Sequence, residues 1–196
     1  MPTPRRVVLA STSKYRRALM ERLGIAFECA DPETDEIALP GEPGATTALR
    51  LAEAKARAVA ARYPQALIVG SDQVASCGDM RLDKPGNHDN AVRQLTAMSG
   101  RTANFDTSVV VLDAVSGKLA ARVVGCRVTF RPLSAQQIER YLRLEQPYDC
   151  AGSAKVEGLG ITLIERIETE DPTSLIGLPL IALTELLALA GAPVLG

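Results

Sequence analysis

The chain has 196 residues, 46% of them hydrophobic and 23% charged, a composition that describes an ordinary folded protein and excludes intrinsic disorder. With 22 Lys and Arg against 23 Asp and Glu the net charge is -1, so no overall basic field exists to attract a nucleic-acid backbone or an anionic membrane. A single domain spanning 1–196 is expected, large enough to bury roughly 70% of its unfolded surface, and any anion it meets must be bound locally.

In chain order, "RVVLA" reads as a buried strand preceded by a basic segment whose apolar run is too short for a signal peptide, which points to the cytoplasm. "KYRRALMERLG" reads as a helix with Ser13 as N-cap and Gly24 as its C′ residue, and residues 46–63 as a second helix. "ALIVG" (66–70) is a buried strand, residues 88–98 form a helix ended by Ser99-Gly100, and "SVVVLDA" and "LAARVVGCRVTF" are strands joined at Ser116-Gly117 like a hairpin. Ser134 and Gln137 make a capping box for a helix through Leu144, "GITLIERI" is strand-like, and a last helix begins near Pro179. The apolar C-terminal stretch is interrupted by Pro179 and Glu185, which fits a core helix and not a membrane span. The class is α/β with a mixed sheet. Cys29, Cys77, Cys126 and Cys150 are far apart and read as buried free thiols.

Ligands in open α/β sheets collect outside the carboxyl ends of strands. After "VVLA" come Ser11, Thr12 and Ser13, whose N–H groups and hydroxyls face the positive end of a helix, with Arg16 and Arg17 in its first turn; this loop suits a phosphate, and equally a plain helix cap. Asp72 and Gln73 follow the apolar strand in "ALIVGSDQV", where a carboxylate either caps a turn or holds a cation or water. Lys55 falls in the middle of the apolar stripe of the second helix, between Leu51 and Val59, and needs an anionic partner unless it snorkels. Asp35 and Glu36 in "DPETDE", with Asp72, are suited to a hard divalent cation, and Lys84 in the rigid "LDKP" turn to a phosphate. Together these groups suggest a magnesium-nucleotide site. His88, the sole histidine, reads as a surface residue at a helix start, and no histidine triad can be built around it.

"LASTSKYRR", "TDE", "LAEAKA", "GSDQV", "LDKP", "AMSG", "CAGSAKVEGLG" and "IGLPL" resemble, in order and spacing, the Maf family of nucleoside triphosphate pyrophosphatases, from Leu9 to about Leu187. The resemblance implies an elongated α/β fold with a twisted mixed sheet, flanking helices and a central cleft. It implies hydrolysis of a nucleoside triphosphate to the monophosphate and pyrophosphate with a divalent metal, Mg2+, Mn2+ or Co2+. Position by position, Asp72 corresponds to the proton acceptor, Glu36 to the acidic residue at the metal, and Ser11, Arg16, Lys55 and Lys84 to phosphate-handling positions, with Arg17 behind them. Whether Asp72 is base, metal ligand or both stays open. Lys14 stands where the family usually has proline, and Ala154 where it often has an aromatic residue.

The family divides by base preference at positions corresponding to Tyr15, Gln73 and Glu157, and Tyr and Glu at the first and third resemble the 7-methyl-GTP subgroup; the UTP and dTTP subgroup carries Arg and Gln there. A carboxylate accepts two hydrogen bonds, so Glu157 is able to pair with the N1–H and exocyclic amine of guanine, and N7 methylation puts positive charge on the purine that an aromatic face such as Tyr15 attracts. The alternatives are a UTP or dTTP pyrophosphatase, or a nucleotide-binding regulator of cell division without significant turnover. A pure sensor has little use for Asp72 and Glu36 together. The expected partner is the nucleoside triphosphate, with no nucleic acid and no membrane, and a homodimer is left open.

Overall fold

The computed structural model describes residues 5–196. Val7–Ala10 forms β1, Lys14–Glu21 α1, Phe27–Ala30 β2, Gly44–Ala60 α2 and Leu67–Cys77 β3. Met80–Arg81 is the short β4, followed by His88–Met98 (α3), Thr102–Asp113 (β5), Leu119–Phe130 (β6), Ala135–Glu145 (α4), Ile164–Thr169 (β7) and Leu180–Leu189 (α5). The strands make one seven-stranded sheet in the order β2-β1-β3-β5-β6-β7, with β4 on β3. It is mixed, because β1 pairs in parallel with both β2 and β3 whereas β6 and β7 run antiparallel.

Local signals account for most of the element ends. Ser13 caps α1 by accepting the Arg16 N–H, an arrangement that contributes about 1 kcal/mol. Ser134 and Gln137 form the expected capping box. Asn87 caps α3, whose bounds match the sequence pattern. Several expectations need correction. The second helix spans Gly44–Ala60 and not 46–63, because Arg62 and Tyr63 donate to Val59 and Ala60 in tightened turns, and β5 begins at Thr102, ahead of "SVVVLDA". Gly24 does adopt a left-handed φ, but α1 ends earlier, with Arg22 as C-cap, because Leu23 and Gly24 donate to Met20 and Glu21 in tightened turns. β3 does not stop at Gly70 but runs on to Cys77, so Asp72 and Gln73 lie inside the strand and not after it. "GITL" belongs to a 3-10 helix over Leu159–Leu163, and β7 starts only at Ile164. Of the four cysteines, all free, only Cys77 and Cys126 are buried; Cys29 is exposed and Cys150 half-buried.

The chain falls into two compact units. The first holds the chain as far as Gln73, Thr107–Val124 and Asp171–Gly196; the second holds Val74–Asp106 and Gly125–Glu170. In the first unit strand alternation separates two cores. Val7, Leu9, Leu67, Val69, Val109 and Val111 pack on one face with Leu19 and Met20 of α1 and Leu183, Leu186 and Leu187 of α5. Val8, Ala10, Ile68, Val110 and Leu112 pack on the other with Ala52, Ala56 and Val59 of α2. In the second unit α3 packs on α4, and Leu95, Met98, Phe130 and Leu142 are fully buried. Among the described residues no helix is long and apolar enough to cross a membrane.

Candidate active site

The centre of the site follows from one missing side chain. A Cβ on Gly70 would lie 2.2 Å from the Ala52 carbonyl oxygen, so only glycine lets α2 approach β3 this closely. Two residues along the strand, on the same face, comes Asp72; three along the helix comes Lys55. Their side chains meet, with Lys55 Nζ donating to Asp72 Oδ1 at 2.6 Å. Lys55 is 3% exposed and Asp72 6%, so the pair is buried. Lys55 Nζ also contacts Glu36 Oε1, from the irregular segment between β2 and α2. The anionic partners that the helical wheel demanded for Lys55 are therefore Asp72 and Glu36. The hydroxyl of Ser108, fully buried on β5, donates to the Ala48 carbonyl at 2.6 Å and reaches the Asp72 carbonyl at 3.3 Å, tying helix and strand together where the pair forms.

Residues alternating with Asp72 serve the opposite face. The Ser71 hydroxyl donates to the Gly177 carbonyl at 3.0 Å, and Arg16 Nε donates to the same oxygen at 2.8 Å. The Gln73 amide nitrogen lies 2.9 Å from both Thr107 Oγ1 and the Ser174 carbonyl and 3.2 Å from the Leu175 carbonyl, fixing it to the 174–177 turn. Burial pushes the Arg16 guanidinium below its ordinary value, and the charges of Asp72 and then Glu36 pull it back up. Arg16 thus stands within electrostatic reach of both carboxylates.

Ser11 is buried in the turn between β1 and α1, where its Oγ accepts the Ser13 N–H at 3.1 Å. It lines a cavity of about 220 Å³ with Thr12, Ser13, Arg17, Cys29 and Asp31. Arg17 is exposed and also pairs with Glu21 at 3.1 Å. The half-buried ring of Tyr15 is faced by the Lys14 ammonium, 4.9 Å from its centroid. A cation, in other words, already sits at that aromatic face.

Lys84 and Glu157 belong to the second unit, and both are exposed. The Lys84 turn is held from α3, with Gln94 donating to the Asp83 carbonyl and Asn90 to the Pro85 carbonyl, each at 2.8 Å. Glu157 rides on a loop fastened by Glu145, the last residue of α4: one carboxylate oxygen takes Lys155 Nζ at 2.8 Å and the other the Leu159 N–H at 2.7 Å. Those bonds hold Glu145 below the usual carboxylate range, Lys155 contributing most. A Cβ on Gly158 would meet that carboxylate at 2.7 Å, so a larger residue there would push the Glu145 side chain aside. His88, expected as a plain surface residue, is half-buried between the Tyr148 hydroxyl at 3.0 Å and Glu139 at 2.8 Å.

The structure therefore brings Lys55, Asp72 and Glu36 together with Arg16 in reach, and places Ser11 and Arg17 on one cavity. Ser71, Ser108 and the 174–177 turn were missed because their partners lie far away in sequence; an unbroken apolar run into "GSDQV" gives no hint that the strand continues. Among the described residues no group of three or more His, Cys, Asp and Glu side chains is placed to hold a metal.

An α/β sheet with hydroxyls and backbone N–H groups at the start of a helix suits a phosphate-bearing ligand. The chain belongs to the Maf family, whose model, described as Maf-like protein, matches residues 6–190. It is 53% identical over 190 residues to the 7-methyl-GTP pyrophosphatase of Cupriavidus metallidurans, covering 97% of this chain and 96% of that protein. Against the 7-methyl-GTP pyrophosphatase of Polaromonas sp. it is 54% identical over 190 residues, 97% of this chain and 87% of that one. The protein of that name from Thiobacillus denitrificans is 53% identical over 189 residues, 96% and 94% of the two chains.

Proposed function

We propose that this chain hydrolyses 7-methyl-GTP to the nucleoside monophosphate and pyrophosphate, in the cytoplasm. The observation that carries the chemistry is the buried Lys55 ammonium joined to Asp72 and Glu36. Lys55 holds Asp72 Oδ1 and leaves the other carboxylate oxygen for the attacking water. That water adds to the α-phosphorus; the bond from the α-phosphorus to the oxygen bridging to the β-phosphorus breaks, pyrophosphate departs with that oxygen, and the water proton passes to Asp72. Lys55, Arg16 and Lys84 neutralise phosphate charge, and the Ser11 turn with Arg17 binds phosphate oxygens.

Asp72 and Glu36 supply two carboxylates converging on one cationic point, a donor set that suits a hard divalent ion taking one or two carboxylates, water and phosphate oxygens. Such an ion, Mg2+, Mn2+ or Co2+, would be held by these two residues and would add further neutralisation of the leaving pyrophosphate. Glu157 accepts two donors of the guanine edge, Tyr15 offers the methylated purine an aromatic face, and Gln73 is the third residue of the base-preference set. The names of the near-full-length relatives support the base preference. The test is a screen of 7-methyl-GTP, GTP, UTP and dTTP with magnesium, reading pyrophosphate and orthophosphate separately. Pyrophosphate is expected as the first product, with the highest kcat/KM for 7-methyl-GTP; orthophosphate released first overturns the reaction, and a preference for UTP or dTTP overturns the base assignment alone.

A further inference from the structure

Glu36 presents a physical problem. Its side chain is 57% exposed, and it lies on an irregular segment whose apolar neighbours Ile37 and Leu39 are 71% and 54% exposed, so burial does not hold the segment. Ordering such a chain costs about 1–2 kcal/mol per residue in backbone entropy. Yet Glu36 meets the buried Lys55 ammonium.

A second cation on α2 addresses the same segment just over one turn before Lys55. Arg50 grips Glu42 in a fork, Nε to Oε1 at 2.8 Å and Nη2 to Oε2 at 2.6 Å. From the same Nη2 it donates to the Ile37 carbonyl at 3.1 Å, the residue next to Glu36. Glu42 is braced in turn, since its Oε2 accepts the Thr47 hydroxyl at 2.8 Å and its N–H donates to the Leu39 carbonyl at 3.1 Å. The Glu42 side chain is only 9% exposed. Guanidinium geometry is required here, because a planar fork reaches the carboxylate and the carbonyl at once and an ammonium does not.

We propose that Arg50 is a positioning residue for the reaction: anchored on Glu42, it holds the Ile37 carbonyl and so sets Glu36 over Lys55 and Asp72. This rests on the reading of Glu36 as a working carboxylate. Residues 36–42 and the early turns of α2 thus act as one clasp, and losing it misplaces Glu36 without touching Lys55 or Asp72.

The experiment compares Arg50→Lys, Glu42→Gln, Glu36→Gln and the double variant Arg50→Lys/Glu36→Gln in turnover of 7-methyl-GTP, melting temperature and hydrogen exchange. Arg50→Lys is expected to lower kcat about 10-fold or more, as small misplacements of a catalytic group do, with a smaller change in KM. Glu42→Gln, which keeps the side-chain shape, should lower kcat in the same direction. Exchange should quicken at the amides of residues 36–42 while α2 stays protected. In the Glu36→Gln background, Arg50→Lys should cost less than about 2-fold, since residues acting through one group are not additive. Full kcat in Arg50→Lys overturns the proposal, as does an undiminished loss in the Glu36→Gln background, which marks a general effect on the fold. Full turnover in Glu36→Gln removes the role of Glu36 itself and the clasp's purpose with it, an outcome distinct from a clasp that fails while Glu36 matters.

Discussion

The Lys55–Asp72 centre and the loop bearing Glu157 are built on opposite principles. Lys55 and Asp72 project from a helix and a strand packed so closely that a glycine is needed between them, and both are buried. Glu157 is exposed on a loop fastened at Lys155 and Leu159 by the carboxylate of Glu145. Removing one partner of a buried pair held between rigid elements disturbs the fold unless the charge left behind keeps another partner. A group on a fastened loop is held by a few polar bonds, so altering it leaves the fold in place.

The sharpest test of this contrast is Asp72→Asn, which keeps shape and removes basicity; turnover should fall at least ~100-fold. Its melting temperature should stay near that of the unaltered protein, because Lys55 retains Glu36, and unchanged turnover would exclude Asp72 as the base. Next is Lys55→Met. Met continues the apolar stripe of α2, but the change removes a buried cation. It strands the buried Asp72 carboxylate, with a loss of about 3 kcal/mol in denaturant unfolding together with loss of activity. Adding Asp72→Asn to Lys55→Met should restore stability and not activity; no recovery would mean the pair is not the origin of the loss.

On the loop side, Glu157→Gln should cost about 1–3 kcal/mol in kcat/KM for 7-methyl-GTP and much less for UTP, with melting unchanged. Glu145→Ala should reduce the same preference by a smaller factor, and an equal loss for every nucleotide would remove the loop from base selection. Tyr15→Ala should weaken 7-methyl-GTP relative to GTP by about 0.5–1 kcal/mol, since only the methylated purine carries ring charge. The smallest effect concerns acid. Arg50 first, then the Thr47 hydroxyl and the Leu39 N–H donating to the carboxylate, hold Glu42 down from 4.5 to about 2. A carboxylate depressed on folding stabilises the native state above its unfolded value and loses that stabilisation as pH falls from 4.5 towards about 2. Glu42→Gln should therefore flatten the acid-unfolding curve in that window, and an unaltered curve would deny the fork its electrostatic part.

The α1 cap at Ser13, both ends of α3, the capping box of α4 and the placement of Lys55 on an apolar helix face were all legible in the sequence. Each depends on residues within one or two helical turns of one another, and local geometry repeats with a known period. The short strand Phe27–Ala30 and the second half of β3 were not legible. Ser71, Asp72 and Gln73 are polar in succession and look like a loop, but each finds its partner across the fold: Gly177 and Ser174 on one face, Lys55 on the other. Arg50 and Glu42 stand on either side of the start of α2, and Glu145 and Lys155 on either side of an irregular stretch, so no periodicity announces either pairing. Sequence by itself determined the α/β class, the helices and the set of charged groups that stand out from their apolar surroundings. Tertiary structure alone decided which of them meet, because a buried charge or polar group is stable only beside a partner, and that partner is chosen by packing between distant segments.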